Sequence, residues 1–155
     1  MNVSSVLLKT MGLKFARTLA NDEKLEPEEK LWRSVVVNAL EDTMLLHSDR
    51  KASLDKISAH NWILKRKKDF DLVCYYGQLD PDDIMESYIK ALRLQNIRFT
   101  ERQVMWHVYN KVYISMENLS KDEKKIIRKR LDSIRKTVYA TSTEFTSTIF
   151  VSAFV

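Results

Sequence analysis

Asp69-Phe70-Asp71-Leu72-Val73-Cys74-Tyr75-Tyr76-Gly77-Gln78-Leu79-Asp80-Pro81-Asp82-Asp83-Ile84 is the stretch whose reading decides the fold. It predicts two helices, Asp69 to Tyr76 and Pro81 to Leu92, joined by a tight turn. Gly77 stands where a helix C′ residue takes a positive φ. Asp80 supplies an N-cap, and Pro81 an N1 residue with preset φ and no amide hydrogen to satisfy. The pattern is that of a helix-turn-helix. Ile84, Tyr88, Ala91 and Leu92 form one apolar face of the second helix. Its first turns carry Asp82, Asp83 and Glu86 where a DNA-reading helix would meet phosphate, which argues against its entering the major groove.

Outward from this core, helical signals continue in both directions. Pro27 opens a helix to about Leu46 with a wide apolar face of Leu31, Trp32, Val35, Val36, Ala39 and Leu40, and Ser53 to Leu64 forms another. Thr100 with Gln103 makes a capping box, flanked by Phe99 and Val104 as a hydrophobic staple. Ser120 with Glu123 makes a second box, opening a helix to about Tyr139 on which Ile127, Leu131, Ile134 and Val138 fall on one seam. Trp32, Trp62 and Trp106 each lie in an apolar helical pattern and read as core residues. The 155-residue chain has only two Gly and two Pro, and sheets lean on glycine turns, so the expected fold class is all-α. Five to seven helices would form a compact domain with a helix-turn-helix-like core and a C-terminal helical extension. The expected organisation is an N-terminal arm or helix (1–26), the core (27–94), a C-terminal helical part (95–140) and an apolar, Thr-rich tail (141–155). The β-branched residues of that tail favour an extended segment.

The segments Glu29-Lys30-Leu31-Trp32-Arg33, Ala39-Leu40-Glu41-Asp42, Ala59-His60-Asn61-Trp62-Ile63-Leu64 and Leu79-Asp80-Pro81-Asp82, with the stretch Asp69 to Cys74, resemble small, mostly uncharacterised helical proteins of alphaproteobacteria and their phages. The resemblance covers about Glu29 to Leu92. It implies a prophage or mobile-element context and a regulatory or DNA-associated role, and supplies no catalytic residue. In such sequences glycine usually precedes the leucine of the turn, whereas here Gln78 precedes Leu79.

The formal net charge is +5, and Lys121 to Lys136 alone hold eight Lys or Arg against three Asp or Glu, so the remainder is close to neutral. Clustered cations fit nucleic acid, an anionic membrane surface or an acidic protein. On the late helix Lys124, Arg128 and Arg135 share one face, and Lys125 and Lys129, with Lys136, the next. With the basic knot Lys65, Arg66, Lys67 and Lys68, these are the expected phosphate contacts of a DNA-binding protein. The rival expectation is a non-enzymatic adaptor that docks an unknown protein through the acidic helix or the tail; assembly into a homo-oligomer is a separate expectation. The first segment, Met1 to Ala20, is basic and amphipathic, a pattern shared by transit peptides, lipid-lying arms and ordinary first helices.

Catalytic signatures are weak. His47, His60 and His107 are scattered, and Cys74, the single cysteine, reads as an inert core thiol in a reducing, cytoplasmic setting. Asp80, Asp82, Asp83 and Glu86 lack the glycine and spacing of a calcium loop and read as helix-start acids. No Gly-rich phosphate loop or nucleophile elbow is present. The expectation is a protein with no enzymatic activity, cofactor or metal. No apolar run reaches the length of a membrane span.

Overall fold

The structure, a computed structural model, describes residues 3–146. The fold is all-α, with eight helices among the described residues: α1 (Ser5–Met11), α2 (Leu13–Ala20), α3 (Pro27–Asp42), α4 (Arg50–Leu64), α5 (Phe70–Tyr76), α6 (Pro81–Arg93), α7 (Glu101–Ile114) and α8 (Lys121–Ala140). One helix more than expected arises at Gly12, whose φ of 92° breaks the N-terminal segment into α1 and α2. The only strands among the described residues are β1 (Phe99–Thr100) and β2 (Phe145–Thr146), paired antiparallel with Phe99 opposite Thr146 and Thr100 opposite Phe145. The start of the Thr-rich tail is therefore extended. The rest of it, 147–155, lies outside the described residues.

The chain forms two compact units, residues 1–45 with 58–98, and residues 46–57 with 99–155. The boundary falls inside α4, and the first 26 residues, which carry α1 and α2, belong to the first unit.

In the first unit α3 packs on α5, and α1 packs on α2, α3 and α6. Its core includes Leu7, Leu19, Val36, Leu40, Ile63, Phe70, Ile84 and Tyr88. The face that α3 buries differs from the expected one. Arg33, Val36, Val37 and Leu40 are buried, while Leu31 is 63% exposed and Val35 is exposed too. Arg33 can be buried because its guanidinium donates to four main-chain carbonyls: Nε to Gly77 at 2.8 Å, one terminal nitrogen to Asn21 at 2.8 Å and Thr18 at 3.3 Å, the other to Gln78 at 2.9 Å. A charge so satisfied tolerates a site that an unpaired one would not.

The turn after α5 also departs from expectation. Gly77 has φ −86°, and the left-handed residue is Gln78, at φ 55°. The N–H of Leu79 bonds to the carbonyl of Cys74 (2.8 Å) and that of Gln78 to Tyr75 (3.0 Å), a Schellman ending with Gln78 as C′. Gly77 is required for a different reason, since a Cβ there would lie 2.8 Å from the main-chain nitrogen of Arg33. Beyond the turn, Asp80 caps α6 as expected, accepting from the N–H of Asp82 at 2.9 Å. Asp69 does not cap α5; its carboxylate takes the indole N–H of Trp62 at 2.8 Å. Trp62 and Trp32 are half-buried rather than core, set against Phe70 and Tyr76.

In the second unit α7 packs on α8 and on β1. The capping box forms in full: Thr100 Oγ1 accepts from the N–H of Gln103 (3.1 Å), and Gln103 Oε1 from that of Thr100 (2.9 Å). Phe99 and Val104 are both buried. At α8 only half of the second box forms, because Glu123 accepts from the Ser120 hydroxyl instead of its N–H. The seam holds. Leu131 and Val138 pack with buried Trp106 and Tyr109, flanked by Ile127 and Ile134.

Candidate nucleic-acid interface

Once the α8 seam is turned inward, helix geometry sets where its cations go. At 100° per residue, Lys121, Lys124, Lys125, Arg128, Lys129, Arg135 and Lys136 fall within an arc of roughly 140° beside the buried stripe, and Arg130 alone lies opposite. Asp132 is the one acid in this arc; Asp122 and Glu123 sit in the first turn, where negative charge complements the helix dipole. Most of these cations are exposed, with Lys124 half-buried. Among the described residues, the side chains of Lys121, Lys124, Lys125, Arg128, Lys129 and Lys136 make no hydrogen bond or ion pair.

Arg135 is held, but not neutralised. It donates to the hydroxyl of Tyr109 at 2.7 Å and lies 5.5 Å from the centre of that ring. The Tyr109 hydrogen bond is the main reason its pKa is raised.

The other predicted cluster behaves differently. Arg66, at φ 42°, donates to both carboxylate oxygens of Asp71 (2.9 and 2.8 Å) and to Asp82 (2.6 Å). Those two acids raise its pKa, Asp82 first. It therefore clamps α5 to α6, a role invisible in the run Lys65 to Lys68. Lys67 and Lys68 remain exposed, as does Lys65. Lys65 to Lys68 belong to the first unit, and Lys124, Lys125, Arg128, Lys129 and Arg135 to the second.

Two of the acids at the start of α6 have structural employment: Asp80 caps and Asp82 pairs with Arg66. No group of three or more His, Cys, Asp or Glu side chains able to hold a metal ion occurs among the described residues. His60 Nδ1 shares a 2.6 Å hydrogen bond with the buried hydroxyl of Tyr88, whose pKa burial pushes up. Burial raises the Cys74 thiol to about 12, with Asp71 adding to the shift. Such a thiol is inert at neutral pH.

Sequence reasoning missed two arginines. Arg50 and Arg102, with Arg135, Trp106, Tyr139, Asp49, Ser48 and Thr143, line an open cleft of about 780 Å³ in the second unit. The guanidinium of Arg50 stands 5.0 Å from the ring centre of Tyr109 and 5.3 Å from that of Tyr113. Arg102 donates to the carbonyls of Tyr139 (3.1 Å) and Thr141 (3.0 Å) at the end of α8. Separations of about fifty and thirty residues give no local signal. One trace was present: Tyr139 falls, by helical phase, in the middle of the cationic arc.

These features define a helical protein with a one-sided cationic helix. No protein-family model, curated protein or solved structure matches the chain. No helix among the described residues is long and apolar enough to cross a membrane.

Proposed function

We propose that the protein binds nucleic acid through the cationic arc of α8, in a DNA-associated regulatory role without catalysis. The observation that carries the proposal is the arc itself, seven cations on one exposed face with only Asp132 among them. A face meant only to stay solvated mixes both signs, whereas one that lies along phosphates displaces counterions and gains affinity at low salt. The acids on α6 and the commitment of Arg66 to Asp71 and Asp82 make α8, rather than the helix-turn-helix-like pair α5 and α6, the contact surface of this reading. A reducing, cytoplasmic location belongs to the proposal, supported by the single buried cysteine. The mobile-element context rests on the sequence resemblance alone.

The test is a binding titration against a labelled duplex of about 20 base pairs at two salt concentrations, roughly 50 and 200 mM. The triple variant Lys125→Gln, Arg128→Gln, Lys129→Gln should bind more weakly on every sequence. Its log K against log salt plot should flatten by about 0.9 for each phosphate that is no longer neutralised. Helicity should persist, since Gln is a good helix former. An unchanged affinity and slope would remove α8 from the reading. Failure of the parent protein to bind either this duplex or a single strand of similar length at low salt would transfer the proposal to the protein-adaptor role.

A further inference from the structure

Three arginines from three helices converge on the cleft of the second unit: Arg50 of α4, Arg102 of α7 and Arg135 of α8. None of them makes a salt bridge among the described residues. They are fixed by neutral partners instead. Arg50 rests on the rings of Tyr109 and Tyr113, Arg135 on the ring and hydroxyl of Tyr109, and Arg102 on main-chain carbonyls.

The contrast with Arg66 is informative. A carboxylate clamp immobilises a guanidinium and cancels its charge; an aromatic or carbonyl clamp immobilises it and leaves the charge standing. Arg50 and Arg135 share one ring, so their charges stand at most about ten ångströms apart. The Nε of Arg102 is buried and makes no hydrogen bond. Two acids face this region. Asp49 lines the cleft and is occupied in accepting from the N–H of Ala52 at 3.2 Å; Asp132 lies close enough to Arg135 to add to its raised pKa.

The same cleft carries an aromatic surface. Tyr139 is 62% exposed, yet its ring is braced at right angles by Trp106, with 5.7 Å between centres. Its own carbonyl is bonded to Arg102. A fixed, exposed ring beside preorganised cations offers stacking for a base and contacts for its phosphate, the combination that holds single strands. Paired bases in a duplex have their faces covered by their neighbours, so they cannot use the ring.

We propose that this cleft takes an unpaired nucleotide of a single-stranded nucleic acid, its base stacked on Tyr139 and its phosphate held by Arg50 and Arg135. The proposal rests on the nucleic-acid reading of α8 and adds to it a preference for unpaired strands.

The experiment compares a labelled oligo-dT of about 20 nucleotides with a duplex of similar length at one low salt concentration. Tyr139→Ala should weaken oligo-dT binding roughly tenfold and leave duplex affinity within about twofold. Tyr139→Phe should retain oligo-dT binding, because the stacking face remains, and Arg50→Gln should lose it in part. Far-UV circular dichroism and thermal melting of each variant establish that it is folded. If Tyr139→Ala has no effect on oligo-dT, or weakens both ligands equally, the cleft proposal falls. In that case persisting duplex binding that the α8 triple variant reduces would show that the α8 reading survives. If neither ligand binds the parent at low salt, both fall together.

Discussion

Gly77 and Arg33 lock α5 against α3 through two contacts that depend on each other. The missing Cβ of Gly77 lets the two backbones approach, and at that distance Arg33 reaches the carbonyls of Gly77 and Gln78. Gly77→Ala would place a methyl group 2.8 Å from a main-chain nitrogen, which cannot rotate away as a side chain would. Overpacking of this kind costs about 1–3 kcal/mol, so chemical denaturation should show a lower midpoint for the variant. Equal stability would refute the close approach. Arg33→Lys should also destabilise, by about 2–4 kcal/mol, because a single ammonium cannot span four carbonyls set around a planar fork.

Neither residue's role was legible beforehand. A glycine before a helix start reads as a turn, and an arginine on an apolar helix reads as exposed, because one sequence does not display the carbonyls that will surround it. Cys74 was legible, since its neighbours are apolar. Its thiol, raised by burial to about 12, should resist a thiol reagent at pH 8 in the folded protein and react on unfolding. The unfolded thiol ionises near pH 8.5 to 9 and the folded one does not, so the unfolded state binds fewer protons between roughly pH 9 and 12 and stability falls across that window. Rapid labelling of the native protein at pH 8 would contradict this.

At the scale of elements, starts were more legible than ends. Asp80-Pro81 and Thr100-Gln103 are local signals, because the capping side chain and the amide it caps lie within three residues. Apart from α1, which ends at Gly12, the left-handed helix ends among the described residues lack their usual glycine. Three of them place a non-glycine residue in the left-handed region, Arg66 (φ 42°), Gln78 (φ 55°) and Gln95 (φ 60°). For Gln95 the bonds are again those of a Schellman ending, Asn96 to Ala91 at 2.9 Å and Gln95 to Leu92 at 3.1 Å. An L residue in that region costs about 1–2 kcal/mol relative to the right-handed one. Part of this is recovered by glycine, which in turn loses more entropy on folding. Gln78→Gly and Gln95→Gly should each therefore stabilise by about 0.5–1 kcal/mol, raising the thermal midpoint by a few degrees. A fall in midpoint for both would show that the glutamine side chains contribute more than their backbone strain costs. Arg66 is a poor site for the same change, because its guanidinium joins Asp71 to Asp82.

For the whole molecule, the α8 arc was readable because charge density and helical phase are both local properties. The cleft was not, because its three arginines come from helices distant in sequence. The same non-local construction governs folding of the second unit, which is assembled from residues 46–57 and 99–155. Lys56 Nζ donates to Gln103 Oε1 at 3.1 Å and lies 4.7 Å from the ring centre of Phe99. Gln103 Nε2 donates to the carbonyl of His47 at 2.8 Å, and the indole of Trp106 to that of Ser48 at 3.1 Å. Arg50 adds its contacts with Tyr109 and Tyr113. A fragment beginning at residue 99 keeps α7 and α8 and is deprived of every one of these partners. It also leaves polar groups of Gln103 and Trp106 without the acceptors that justify their burial. α8 is moreover crowded with like charges at i, i+4 spacing, such as Lys121 with Lys125, Lys124 with Arg128, and Lys125 with Lys129, each costing a few tenths of a kcal/mol when packing no longer compensates. The fragment should thus show far less helix by circular dichroism than α7 and α8 contribute in the intact chain, with a broad, weakly cooperative melt. A fragment of residues 46–155, which restores those partners, should recover helix within 99–155, measurable by hydrogen exchange of the α7 and α8 amides. Full helicity and a sharp melt for 99–155 alone would show that α4 is dispensable to this unit.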